Sequence, residues 1–255
     1  MINREHALKA FKNYVANYDT SNVGVALKIA HTYRVAGLSE RIAKSINTNN
    51  EFECNVDFAW FLGLLHDIGR FEQVTRYGTF KDALSVDHAE FGADILFRDG
   101  LINTFISEDA LNELKNTAEI AIRLHNKLKI SENLDTQTLL YTKILRDADK
   151  IDIFRVSTEP PFSERFSDSN VKNLSVRPEV MQCVMEHRCI PRPITNLQYN
   201  ELEALIANCC MAFELEFPES RRITIQQGYL NKLLSKDSKQ LAIVKAELIK
   251  TLKIS

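Results

Sequence analysis

Apolar residues recur at i, i+3, i+4 and i+7 along most of the chain, the spacing of amphipathic helices rather than of strands. The pattern predicts helices near residues 3–18, 22–46, 57–67, 86–98, 110–129 and 138–155. Others follow near 178–187, 197–213, 222–234 and 238–252. Boundary signals support several of them. Asp57 precedes the run FAWFLGLL, Ser85 precedes VDHAEFGADIL, and Pro178 stands where a first helical residue belongs. Gly69 and Gly100 read as stops just past helix ends. Segment 69–84 (GRFEQVTRYGTFKDAL) holds no sustained period and reads as a loop, and residues 157–177 read as irregular. No internal repeat interrupts the pattern, so the expected fold class is all-α.

Composition agrees. With 8 Gly and 6 Pro in 255 residues, the chain is poor in helix breakers, which disfavours turn-rich sandwiches, collagens and disordered linkers. All six prolines lie at or beyond Pro160, and Gly228 is the single glycine of the final third. The expected organisation is a helical core over residues 1–157 with a helical extension over 158–255 packed on it, one globular unit.

Charge and cysteine usage remove several function classes. A net charge of −2 supplies no basic field for bulk nucleic-acid binding. The longest apolar run, Phe58 to Leu65, is too short to span a bilayer, so no membrane association is expected. The charged N-terminal segment lacks the apolar stretch of a signal peptide, and the five cysteines form no CxxC pair, so a cytoplasmic protein with reduced thiols is expected. The adjacent Cys209 and Cys210 read as core filling.

The histidines carry the chemistry. His31 lies in a stripe with Leu27, Val35, Leu38 and Ile42, and His66 ends the most apolar helix and precedes Asp67. His88 shares a face with Gly92 and Ile95, and His125 continues the stripe Leu114, Ala118, Ala121. His6 and His187 sit among charged neighbours. One inward histidine is ordinarily a hydrogen-bonded core residue. Four of them need four separate partners or one shared partner, a metal centre. Helix-borne His and Asp suit Mn, Fe, Co, Ni or Zn. The segment LLYTKILRDADKIDIF adds Asp147, Asp149 and Asp152. Asp149 shares the face of Tyr141 and Leu145, whereas Asp147 points about 200° away on an ideal helix. One of these two is expected to face solvent or pair with Arg146 or Lys150, and periodicity alone does not choose between them.

His31, then His66-Asp67, then Asp149 in Ala148-Asp149-Lys150 resembles the HD-domain superfamily of metal-dependent phosphohydrolases. HTYRVAGLSERIA, LLHDIGRFE, DHAEFGADIL, LHNK and LRDADKID are similar to that family's segments in their usual order, over about residues 25–155. The resemblance implies an HD-type helical bundle, favours Asp149 over Asp147, and implies two divalent ions, Mg also being admissible. One would take His31, His66, Asp67 and Asp149, and the other His88 and His125 with Asp67 bridging. A hydroxide held between the ions would be the nucleophile. The alternative is one ion, with His88 and His125 binding substrate. Catalytic roles fall to Asp67 and Arg70. Arg70 and Arg34 are the preferred phosphate clamps, ahead of Lys127 and Lys150. Segment 71–84 is a candidate lid.

The implied function is hydrolysis of a small phosphorylated substrate, a phosphomonoester or phosphodiester such as a nucleotide. The Gly-Tyr-Pro signature and paired histidines of the family's cyclic-dinucleotide phosphodiesterases are replaced here by Tyr77-Gly78-Thr79 and Leu124-His125-Asn126, which argues against that substrate. Two alternatives share the ligand set: a diiron oxygenase and a non-catalytic regulatory module. The C-terminal segments LIANCCMAFELEF and GYLNKLLSK are read as helices that close the bundle or form a homodimer contact.

Overall fold

The computed structural model describes residues 1–48, 53–130, 133–191 and 199–252, and among these it contains helices and no strand. Residues 1–149 and 150–255 form two compact units. None of the described helices is long and apolar enough to cross a membrane.

The first unit contains α1 (Arg4–Val15), α2 (Val23–Thr48), α3 (Val56–Leu65), α4 (Ile68–Tyr77), α5 (His88–Ala93), α6 (Glu108–Leu124) and most of α7 (Thr136–Val156). The N-terminal amides of several of these helices are met by nearby polar side chains, though not those of α4 and α6. Asn22 accepts from Gly24 and Val25 at the head of α2, and Asn55 from Phe58 at the head of α3. Asp87 accepts from Ala89 and Glu90 at the head of α5. Asn55 and Asp87 thus replace the caps expected at Asp57 and Ser85. Helix α3 is apolar on every side, and Phe58 through Leu65 are all buried, so it lies inside the unit.

Two close backbone approaches position the elements that carry the histidines. A Cβ at Gly63 would stand 2.6 Å from Ala36 Cα, so α3 meets α2 at a distance that only glycine allows. A Cβ at Gly69 would stand 2.6 Å from both Gly92 N and His88 O, so α4 meets α5 in the same way.

Segment 69–84, expected to be a loop, is instead helical as far as Tyr77. Its buried face contains Gly69 and Gln73 beside Ile68 and Phe71, so the apolar period is broken by residues that are nonetheless inside. Gly78, at φ +65°, ends the helix in the left-handed conformation, a role expected of Gly69. The helix expected to reach residue 129 stops at Leu124, with His125 in the cap position. Asp147 is fully buried and the Asp149 side chain is 15% exposed, so neither aspartate of the pair faces solvent.

The second unit contains single-turn helices α8 (Phe162–Arg165) and α9 (Asp168–Val171), then α10 (Pro178–Met185), α11 (Glu201–Cys210), α12 (Pro218–Gln227), α13 (Tyr229–Leu234) and α14 (Lys239–Leu252). The helix expected near 197–213 begins at Glu201 under a capping box of Asn200 and Glu203, and residues 197 and 198 lie outside the described residues. The helix expected over 222–234 is two, divided at Gly228 with φ +71°. Cys183, Cys189, Cys209 and Cys210 are buried free thiols, and burial pushes Cys209 and Cys210 well above the ordinary thiol range. They are apolar filling, as expected of the adjacent pair.

Candidate metal centre

Four helices and one turn bring His31 (α2), His66 and Asp67 (the α3–α4 turn), His88 (α5), His125 (the end of α6) and Asp149 (α7) to one place. The imidazoles form two pairs. His31 and His66 approach at Nε2 to Nε2, 3.3 Å, and His88 and His125 do the same at 3.0 Å. Asp67 lies between the pairs with one oxygen turned to each. Its Oδ2 is 3.6 Å from Nε2 of both His31 and His66. Its Oδ1 is 3.5 Å from Nε2 of His88 and 3.9 Å from Nε2 of His125. Asp149 Oδ1 adds a second carboxylate to the first pair, 3.2 Å from His31 and 3.7 Å from His66.

The tautomers follow from the outer hydrogen bonds. His66 Nδ1 lies 2.8 Å from the Gly63 carbonyl and His125 Nδ1 lies 2.7 Å from the Ile122 carbonyl. A carbonyl only accepts, so both Nδ1 atoms carry the proton and both Nε2 atoms present lone pairs inward. His88 Nδ1 is oriented by Asp82 Oδ2 at 2.7 Å. Imidazoles held by carbonyls and a carboxylate on the far nitrogen are what a metal site requires of its outer layer.

The protonation states also suit cation binding. Burial pushes His66 down to about 4 and His88 to about 3, and it lowers His125 as well. The four rings are crowded together, so a second proton among them would be repelled. Burial acts to raise the carboxyls, but Lys28, the histidines and Arg70 hold Asp67 well below the carboxylate range. His31, His66 and His125 do the same for Asp149. Neutral imidazoles and ionised carboxylates are the forms that bind divalent ions. His31, His66 and Asp67 make one group with ligand atoms close enough for an ion, and Asp67, His88 and His125 make a second.

The expected cationic residues fare differently. Arg70 NH1 donates to Asp82 Oδ1 (2.7 Å), the Phe80 carbonyl (2.6 Å) and Gln73 Oε1 (2.9 Å), so it holds the segment after α4 in place. Its Nε is 3.6 Å from Asp67 Oδ1. Lys127 Nζ is held by Asp87 Oδ2 at 2.7 Å and Glu90 Oε1 at 3.1 Å. Arg34 is half-buried on α2, one turn beyond His31. Lys150 falls in the second unit, where its Nζ lies 3.3 Å from the carbonyl and the carboxylate of Glu214.

Four contributors escaped sequence reasoning. Lys28 Nζ donates to Asp67 Oδ2 at 2.7 Å, and its position three residues before His31 was the available signal. Asp82 orients His88 from a segment without period. Gln73 Nε2 donates to Asp82 Oδ1, Ser85 Oγ and the Val86 carbonyl, while its oxygen accepts from Arg70. Arg146 is buried and donates to the carbonyls of Leu124 and His125 at 3.0 and 3.3 Å, and to that of Lys127. It thereby closes the end of α6 where His125 stands.

Residues 29–153 match the family model of the HD domain. Comparison with the curated proteins and with the solved structures gives no match.

Proposed function

Because residues 29–153 of this chain are an HD domain, we propose that the protein is a metal-dependent phosphohydrolase acting on a small phosphomonoester or phosphodiester, such as a nucleotide. The observation that carries the proposal is the placement of Asp67, whose two oxygens each face a separate pair of histidine Nε2 atoms. That arrangement suits two divalent transition ions, one held by His31, His66, Asp67 and Asp149, the other by His88, His125 and Asp67. Bound there, such ions supply Lewis acidity toward phosphoryl oxygens and lower the pKa of water.

The chain's own residues prepare that chemistry. Gly63 and Ile122 carbonyls fix which nitrogen of His66 and His125 is free. Asp82 fixes His88 and is itself fixed by Arg70 and Gln73, so Arg70 acts as a positioning residue for the second pair. Its Nε faces Asp67, which ties the same guanidinium to the carboxylate that both histidine pairs face. Arg34, one turn from His31, remains the proposed clamp for the substrate's phosphoryl group.

The test is metal analysis of the purified protein followed by a phosphoester panel with Mn, Co, Ni, Mg and Zn. Hydrolysis of at least one phosphoester is expected, abolished by chelator and reduced at least 100-fold in His66→Ala and Asp67→Ala. Wild-type rates in those variants would refute the assignment, as would oxygen consumption in place of hydrolysis. Bound metal with no turnover on any phosphoester would return the protein to the regulatory reading.

A further inference from the structure

Lys28 places its ammonium against an inward-facing oxygen of the centre. Its Nζ lies 2.7 Å from Asp67 Oδ2, and its side chain is 15% exposed. The same oxygen stands 3.6 Å from Nε2 of both His31 and His66. Lys28 and His31 are three residues apart on α2 and so lie on one face. Three donors of an ion site and an ammonium thus share one small region of negative charge.

That sharing cannot survive metal loading unchanged. A divalent ion drawn to Asp67 Oδ2, His31 and His66 would repel an ammonium seated on the same oxygen, and the carboxylate would accept from it less strongly. The four-carbon stem of lysine lets the ammonium swing while its base stays packed. Two divalent ions against the two carboxylates Asp67 and Asp149 leave the centre net positive, so the anion available to the displaced ammonium is a bound phosphoryl group. Arg70 is less suited to this task, since its NH1 already serves three acceptors.

We propose that Lys28 is a phosphoryl-binding residue of this centre: it neutralises Asp67 while the metal is away and turns to the oxygens of phosphate when the metal is bound. This rests on the phosphohydrolase reading and adds a residue and a movement to it.

Two measurements on the full chain test it, with Lys28→Gln, which removes the charge but keeps a polar end, and Lys28→Arg, which keeps the charge. First, Mn²⁺ titrated calorimetrically into metal-free protein should bind Lys28→Gln as tightly as wild type or more tightly, because a competing cation is gone. Second, inorganic phosphate titrated into the Mn²⁺-loaded protein should bind Lys28→Gln about 10- to 100-fold more weakly, the size of a hydrogen bond to a charged group, with partial recovery in Lys28→Arg. Weaker Mn²⁺ binding by Lys28→Gln with an unchanged circular dichroism spectrum would show Lys28 supporting the ligands and overturn the proposal. Equal phosphate binding by wild type and Lys28→Gln would overturn it while leaving the phosphohydrolase reading intact. A loaded wild-type protein that binds no phosphate and hydrolyses no phosphoester would remove both.

Discussion

The two units solve the burial of polar groups in opposite ways. In residues 150–255 the buried Glu203 and Glu247 each have their own partners. Glu203 accepts from Arg177 Nε at 2.8 Å and NH2 at 2.9 Å while also capping α11, and Glu247 pairs with His187 and Lys250. Cysteines there fill space as small apolar groups. In residues 1–149 the buried polar side chains converge instead. Four imidazoles and two carboxylates share a single cluster, and partners on the far side of the His66, His88 and His125 rings complete it. Pairwise satisfaction stabilises a fold, whereas shared satisfaction leaves inward lone pairs with a common task.

That contrast can be broken, and the largest effect should come from acid. In the folded metal-free protein burial holds His66 near 4 and His88 near 3, below the ordinary imidazole value of 6.5. Below pH 6.5 the unfolded chain therefore binds protons that the folded chain refuses. The stability these residues lend is full above pH 6.5 and is lost as pH falls toward 4. Glu203 and Glu247 are lowered from 4.5, Glu203 against the pull of burial by its hydrogen bonds from Arg177, and Glu247 chiefly by its hydrogen bond from His187. Their contribution is present above 4.5 and is lost only below it. Hydrogen exchange on chelated protein between pH 7 and 5 should show residues 1–149 losing protection while 150–255 keep theirs, and bound Mn²⁺ should move the loss to lower pH. Equal protection in residues 1–149 at both pH values would contradict the account.

Next in size is Gly69→Ala. Its Cβ would meet backbone atoms of His88 and Gly92 rather than flexible side-chain ends. The clash should cost about 1–3 kcal/mol by thermal unfolding, and the displaced His88 should weaken Mn²⁺ binding. A variant with wild-type stability and wild-type metal stoichiometry would show that the close contact of α4 and α5 does not position the ligands. The smallest effect is expected in the other unit. Cys209→Ala removes only a buried sulfur and should cost about 1 kcal/mol without altering metal binding. A loss of Mn²⁺ affinity there would show that the thiol is more than filling.

The legibility of the chain divides along similar lines. His31, His88 and His125 could be marked as inward because each continues an apolar stripe at the helical period, and His66 because it ends the most apolar helix, whereas Asp149 was chosen over Asp147 only by the family resemblance. Helix α4 is hidden from a period count because its inner face carries Gly69 and Gln73, which are inside for reasons of close approach and hydrogen bonding, not hydrophobicity. The break at Gly228 was missed because the apolar period of residues 222–234 continues across it.

The sequence alone determined the helical class, the candidate ligands and, through its segment order, the HD family over residues 29–153. A repeat along one helix defines a face but says nothing of which faces meet. The resemblance already grouped His31 with His66 and His88 with His125; only the tertiary structure decided the Nε2 to Nε2 approach within each pair and the seating of one pair on each oxygen of Asp67. It also decided that Arg70 braces Asp82 while Lys28 reaches Asp67. The physical reason is the backbone approach at Gly63 and Gly69, where the missing Cβ atoms let helices come close enough for side chains distant in sequence to share one charge.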